Sequence, residues 1–281
     1  MRSLFFYITL FLIVAGVKSF CQSTDDATIK PVTIPNTLIR ELKSKIVGIS
    51  YKLYIKLPVD YDPKKQYDII FLLDPEYSFG IAANITDHLV QRNDMPPVVL
   101  VGIGYSVDNY KLNRTRDYTP TKTSKGGYSE EIISHSGGGE SFYTFIISEL
   151  FPFIDSSVGK AKTKTLVGHS YGGLFASWML LAKPFTFDRL IIVSPSLWYD
   201  EQLMLKEAES NELTTIHSKA YFTTGSLEEK RMIGDLVRLK EIFKSRNTSF
   251  EHKIVITSDE NHDTIFPTGF SKGLRYTFGL K

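Results

Sequence analysis

Apolar residues along the chain gather in short runs rich in Val, Ile, Leu and aromatics. They lie at 51–57, 67–73, 98–103, 165–167, 190–193, 220–222 and 253–256. Several are continuously apolar, as expected of strands covered on both faces. Between the later runs the period changes. At 140–158, Phe142, Phe145, Ile146, Leu150 and Ile154 recur every three or four residues and form one helical stripe, and 174–181 and 229–244 read similarly. Strands alternating with helices predict a mostly parallel central sheet with helices on both faces, an α/β fold. In such sheets ligands bind beyond the carboxyl ends of the strands, so chemistry is sought just after each run.

After the run ending at Val167 the chain reads Gly168, His169, Ser170, Tyr171, Gly172 and Gly173, and a helical pattern begins at Leu174. This is G-x-S-x-G in the strand, turn, helix setting that the motif requires. A sharp turn lifts the serine hydroxyl clear of the backbone, and flanking glycines supply the room. The helix directs its amides and positive dipole end at the same point, where negative charge would develop. Ser170 is therefore the candidate nucleophile, and the backbone N–H of Tyr171 the first candidate oxyanion donor. A nucleotide-binding loop fits poorly, because neither G-x-G-x-x-G nor Gly-Lys-Ser/Thr is present.

The fold that carries this turn orders its residues serine, acid, histidine. Three of the six histidines follow Ser170: His217, His252 and His262. His252 starts a predicted strand and His217 precedes one. His262 lies in the loop after the last strand and is the candidate general base; His169 reads as a packing residue. For the acid, Glu228 follows the strand at 220–222, Asp200 follows the preceding strand, and Glu229, Asp235 or a Ser–His pair without an acid stay open.

Composition narrows the rest. The chain has 281 residues, 42% hydrophobic and 23% charged, as in ordinary globular domains. Lys and Arg number 33 against 31 Asp and Glu, with no run of five like charges, so neither nucleic acid nor an anionic membrane surface is indicated as a partner. Met1-Arg2, a 14-residue apolar stretch at 4–17, then Lys18 to Gln22 describe a secretory signal peptide over 1–21, too short to span a bilayer. The expected division is 1–21 as signal and 22–281 as one domain, exported to the periplasm or the exterior. The single cysteine, Cys21, excludes an intrachain disulfide; lipid attachment there is disfavoured by the bulky Phe20 before it. No H-E-x-x-H or clustered Cys/His spacing suggests a metal, and the expected chemistry needs no cofactor.

At these residues the chain resembles the putative esterase family of α/β-hydrolases, which includes S-formylglutathione hydrolase and siderophore trilactone esterases of the enterobactin and bacillibactin type. The resemblance runs over 51–278. Phe71-Leu72-Leu73-Asp74 is similar to the family's oxyanion loop, and Val101-Gly102-Ile103-Gly104-Tyr105 with Arg116-Asp117-Tyr118-Thr119-Pro120 to another signature. Ser194-Pro195-Ser196-Leu197-Trp198, Gly225-Ser226-Leu227-Glu228 and His262 with Gly273-Leu274-Arg275 complete the series. The resemblance implies an α/β-hydrolase fold, a carboxylic ester substrate and an acyl-enzyme on Ser170, with the acid in the Glu228 segment. One departure matters: where the family has glycine after Leu-Leu-Asp this chain has Pro75, which has no N–H. The second oxyanion donor is then the N–H of Glu76 or Tyr77. Arg116 either steers an oxygen-rich substrate or pairs with a nearby carboxylate such as Asp117. Tyr77, Phe79, Tyr105, Tyr110, Trp198 and Tyr199 fall beyond strand ends, where aromatic faces could line a substrate pocket. The substrate stays open among siderophore, feruloyl or acetyl sugar and small acyl esters. The rivals are a non-catalytic binding protein on the same scaffold and a serine peptidase. Nothing in the sequence fixes the oligomeric state.

Overall fold

The computed structural model describes residues 32–106, 110–124, 129–246 and 248–280. The signal-peptide reading of 1–21 lies outside these residues. The chain divides into two units, Met1–Thr33 and Ile34–Lys281, and every element below belongs to the second.

Eight strands form one sheet in the order β1-β2-β4-β3-β5-β6-β7-β8. They are β1 (Thr37–Lys43), β2 (Ser50–Lys56), β3 (Asp68–Leu73), β4 (Val98–Tyr105), β5 (Lys164–His169), β6 (Arg189–Val193), β7 (Lys219–Gly225) and β8 (His252–Thr257). β1 pairs antiparallel with β2, and β2 antiparallel with β4; the remaining neighbours are parallel. The helices are α1 (Pro75–Gln91), α2 (Tyr110–Tyr118), α3 (Glu130–Ile133), α4 (Gly139–Phe145), α5 (Phe151–Val158), α6 (Tyr171–Ala182), α7 (Tyr199–Ser210), α8 (Lys230–Ser245) and α9 (Ile265–Thr277).

Two-residue alternation along each strand splits the core into two layers. Ile69, Phe71 and Leu73, with Leu190, Ile192, Ala220 and Phe222, face the layer containing α4, α5, α6, α7 and α8. Ile70 and Leu72, with Ile191, Val193 and Tyr221, face the layer formed by α1 and α9. Helices thus cover both faces, which is why these strands lack the polar alternation of a half-exposed sheet.

Three features differ from the sequence pattern. β1 has no counterpart in it, because the inward residues of this strand are only partly buried and its outward ones are polar or exposed, as at a sheet edge. The helix expected over 140–158 is interrupted by a π-helical segment, Ile146–Leu150, before α5 resumes with Pro152 in its first turn. Pro cannot donate to the preceding turn, so the change of hydrogen-bonding pattern there accommodates it. The segment after Leu73 enters α1 at once, with Pro75 in its first turn, where a missing N–H costs nothing.

Candidate active site

Ser170 stands between β5 and α6 with φ 58° and ψ −117°, a conformation of a non-glycine residue that the surrounding structure must hold in place. The hold is visible. Ser170 N–H donates to the Val193 carbonyl at 3.0 Å, while the Ser170 carbonyl accepts from Leu174 N–H at 2.9 Å and Ser196 N–H at 3.2 Å. A Cβ added at Gly168 would lie 2.1 Å from the Gly172 carbonyl oxygen, so the strand can reach the helix only with glycine there. Leu174, Phe175 and Ala176 then anchor α6 in the core.

Glu228 follows β7 in a tight turn against the loop that carries His262. A Cβ at Gly225 would lie 2.1 Å from the Glu260 carbonyl oxygen, which is how close the two segments come. The Glu228 side chain is fully buried, and its Oε2 meets His262 Nδ1 at 3.1 Å. Its Oε1 accepts from Gly225 N–H at 2.8 Å and from the Ser194 hydroxyl. Burial pushes the carboxyl up, but hydrogen bonds from His262, Ser194, Gly225 and Thr224 outweigh it and hold the group at about 2. Glu228 is thus a carboxylate at neutral pH. It accepts a hydrogen bond from the Nδ1–H of His262, leaving Nε2 with its lone pair.

Ser170 and His262 both line two adjoining cavities. One, of about 370 Å³, is walled by Tyr171, Ser196, Trp198, Glu229, Arg231 and Met232. The other, of about 280 Å³, is walled by Tyr77, Tyr110, Arg114, His169 and Asp263. Among the described residues Ser170 Oγ makes no hydrogen bond within the protein.

The other candidate acids are elsewhere. Asp200 Oδ2 accepts from the Thr121 hydroxyl at 2.6 Å, and Asp235 Oδ1 from the Gln202 amide at 2.6 Å. Glu229 is exposed and faces Arg231 at 3.9 Å. His217 packs its ring on Phe185, and His252 on Phe243 and Phe250. The structure therefore brings Ser170, Glu228 and His262 to one place and leaves these alternatives apart.

Of the expected oxyanion donors, Tyr171 opens α6 and lines the larger cavity. The carboxylate of Glu76 accepts from the N–H of Tyr105 at 2.9 Å. Tyr77 lines the smaller cavity, with its hydroxyl 2.9 Å from His169 Nδ1. The N–H groups of Glu76 and Tyr77, both in the first turn of α1, stay the candidates for the second donor.

Of the two roles open to Arg116, substrate steering and pairing with a carboxylate, the structure shows the pairing. Arg116 Nε donates to Asp117 Oδ1 at 2.7 Å and Nη1 to Asn113 at 3.3 Å, while Asp117 is fully buried and accepts from Tyr51 OH at 2.7 Å. The guanidinium, a quarter exposed, is thus tied into a polar network around the buried Asp117. Two residues earlier on the same helix, Arg114 faces the site instead, since side chains two apart point in different directions. Its Nε and Nη2 bind the buried Asp74 carboxylate at 2.9 Å each, and the guanidinium lies 5.6 Å from the Tyr171 ring centroid. Trp198 is where it was expected, in the wall of the larger cavity, with the Arg231 guanidinium 4.6 Å above its ring. Arg231 carried no sequence signal beyond its position in a helix. Of the other aromatics, Tyr77 and Tyr110 line the smaller cavity, whereas Phe79, Tyr105 and Tyr199 are buried in the core.

Comparison with known proteins identifies the family. The family model described as Putative esterase matches residues 44–273. The chain is 32% identical over 273 residues to "Ferri-bacillibactin esterase BesA" of Bacillus subtilis, covering 90% of this chain and 93% of that protein. It is 27% identical to "Siderophore enterobactin esterase" of Emericella nidulans over 80% of both chains. Among solved structures, the BES protein from Bacillus cereus superposes with a TM-score of 0.79 at 29% identity, covering 89% of this chain and 98% of the other.

Proposed function

Because the chain belongs to the Putative esterase family and is an ester hydrolase, we propose that it cleaves the ester bonds of an iron-binding siderophore through an acyl-enzyme on Ser170. One observation carries the reading: a serine on a strained turn and a histidine held by a buried carboxylate at 3.1 Å open onto the same cavities at the carboxyl end of the sheet.

His262 Nε2 takes the proton of Ser170 as Oγ attacks the ester carbonyl. The carbonyl oxygen becomes an oxyanion, for which the amide of Tyr171 and an amide in the first turn of α1, that of Glu76 or Tyr77, are the candidate donors. The C–O bond to the alcohol breaks, the alcohol leaves with the proton from His262, and water repeats the sequence on the acyl-enzyme. The substrate class rests on the relatives, whose names are siderophore esterases, and on cavity walls that combine aromatic rings with cations, Trp198 with Arg231 and Tyr110 with Arg114. These walls suit a planar, oxygen-rich acyl group.

The test is a screen of the purified chain against ferric catecholate trilactones, feruloyl sugars and p-nitrophenyl esters, with Ser170→Ala as control. Hydrolysis of the trilactone above the others, lost in Ser170→Ala, is expected. Preference for a feruloyl sugar would move the substrate assignment, and activity of Ser170→Ala within tenfold of wild type would end the covalent mechanism.

The proposal extends to export, on the basic start and the apolar stretch at 4–17. Among the described residues no helix is long and apolar enough to cross a membrane. The mass of the protein recovered from cell fractions tests this. A chain beginning near residue 22 outside the cytoplasm is expected, and an intact Met1 chain in the cytoplasm would refute it.

A further inference from the structure

His169, the residue before the nucleophile, is nearly buried and makes two hydrogen bonds that the reaction itself does not use. Its Nε2 lies 2.9 Å from the backbone carbonyl of His262, and its Nδ1 2.9 Å from the Tyr77 hydroxyl. A carbonyl oxygen can only accept, so Nε2 carries the hydrogen and donates. If the ring is neutral, Nδ1 then holds a lone pair and the Tyr77 O–H donates to it. Neutrality follows from the surroundings: burial foremost, then the charges of His262 and Arg114, bring His169 down to about 3. One tautomer thus satisfies both ring nitrogens.

These contacts reach the two segments that the mechanism needs to hold still. The His262 carbonyl belongs to the loop that carries the base, and Tyr77 belongs to the first turn of α1, which carries both candidates for the second oxyanion donor. We propose that His169 is a positioning residue whose two ring nitrogens tie the base loop and the oxyanion helix to the turn that holds Ser170. The proposal rests on the Ser170–His262 reading above. It also explains why an uncharged ring is needed there. The two imidazoles lie 4.7 Å apart, centroid to centroid, and a second cation at that distance would oppose the protonation of His262 that accompanies attack. The tie holds the base with a neutral donor and leaves its charge unopposed.

The experiment compares His169→Phe, His169→Gln and Tyr77→Phe with wild type in steady-state hydrolysis of a p-nitrophenyl ester, with thermal unfolding of each variant alongside. Misplacing a catalytic group by about 1 Å costs roughly 100-fold, so kcat of His169→Phe should fall by about that factor with KM nearly unchanged. Gln places an amide N–H close to the position of Nε2, and His169→Gln should recover to within about tenfold of wild type because one donor bond is restored. Tyr77→Phe should lose about two- to tenfold in kcat, the equivalent of one neutral hydrogen bond. Equal losses for Phe and Gln, a loss confined to KM, or wild-type kcat in His169→Phe would overturn the tie. If His169→Phe does not fold, ¹⁵N NMR of the wild-type histidines decides: an Nε2–H tautomer for His169 is expected, and an Nδ1–H tautomer would overturn the proposal. Residual activity in Ser170→Ala would instead break the underlying reading, so the two failures are distinguishable.

Discussion

Two histidines with ring centroids 4.7 Å apart show how partners, and not residue type, assign a role. His262 presents Nδ1 to the buried Glu228 carboxylate at 3.1 Å and keeps about a third of its side chain exposed at the edge of both cavities. An imidazole so placed gains a proton at Nε2 with its new charge already compensated. The His169 ring nitrogens meet a carbonyl and a phenol in a buried surround, with no carboxylate among their hydrogen-bond partners in the described residues. Protonation there would strand a charge and break the bond from Tyr77, so the ring stays neutral. The same side chain is a base in one setting and a fixed donor in the other.

The largest expected break in this comparison is His262→Ala. It removes the imidazole placed to take the Ser170 proton and should lower kcat by up to roughly six orders of magnitude, the loss seen when the base of a serine protease is deleted. Since His169 cannot substitute, no residual activity should titrate with a second imidazole. A His262→Ala enzyme within tenfold of wild type would assign the base to His169 and reverse the roles.

A smaller effect is expected from Glu228→Gln, which keeps the shape but removes the charge that holds the imidazole. The expected loss is roughly two to four orders of magnitude in kcat, the upper end matching the loss of the acid in serine proteases, with KM little changed. Asp200→Asn should be nearly silent, because that carboxylate is engaged by Thr121. If Asp200→Asn proved the damaging change, the acid assignment would fail while Ser170 and His262 stood.

How far these roles are legible in the sequence depends on whether the backbone or the side-chain packing sets them. Ser170 is legible because the turn requires glycines at fixed spacing, and His262 because it follows the last strand. Glu228 follows from its place after β7 and from the family pattern, without excluding Asp200. The choice between the two roles of Arg116 is not legible because α2 has four buried residues among nine, Arg114 and Asp117 included. Its polarity therefore does not tell which face meets the site. Arg231 and the tie through His169 depend on contacts between segments distant in sequence, which no local pattern records. The fold is legible where strands are buried on both faces and least so at β1, an edge strand with polar outward positions.

The last expected effect is on stability against acid. His169 lies at about 3 in the folded protein against an ordinary 6.5, so the unfolded chain binds the extra proton first. Stability is then lost as pH falls from about 6.5 towards about 3. Glu228, at about 2 against 4.5, contributes stability that is full above pH 4.5 and lost as pH falls towards about 2. Urea midpoints measured against pH should therefore decline through both windows in wild type. His169→Gln should flatten the upper window and leave the lower one, and Glu228→Gln the reverse. A variant that shifts both windows equally would show that the two groups titrate as one unit.

The account stands on Ser170 being the activated nucleophile, and covalent labelling tests that most directly. A fluorophosphonate should modify wild type at neutral pH at a single serine, with peptide mass spectrometry placing the adduct on Ser170. Labelling should be greatly slowed in His262→Ala and absent from Ser170→Ala. An adduct on another residue, such as Ser194 or Ser226, or undiminished labelling of Ser170→Ala, would contradict the account.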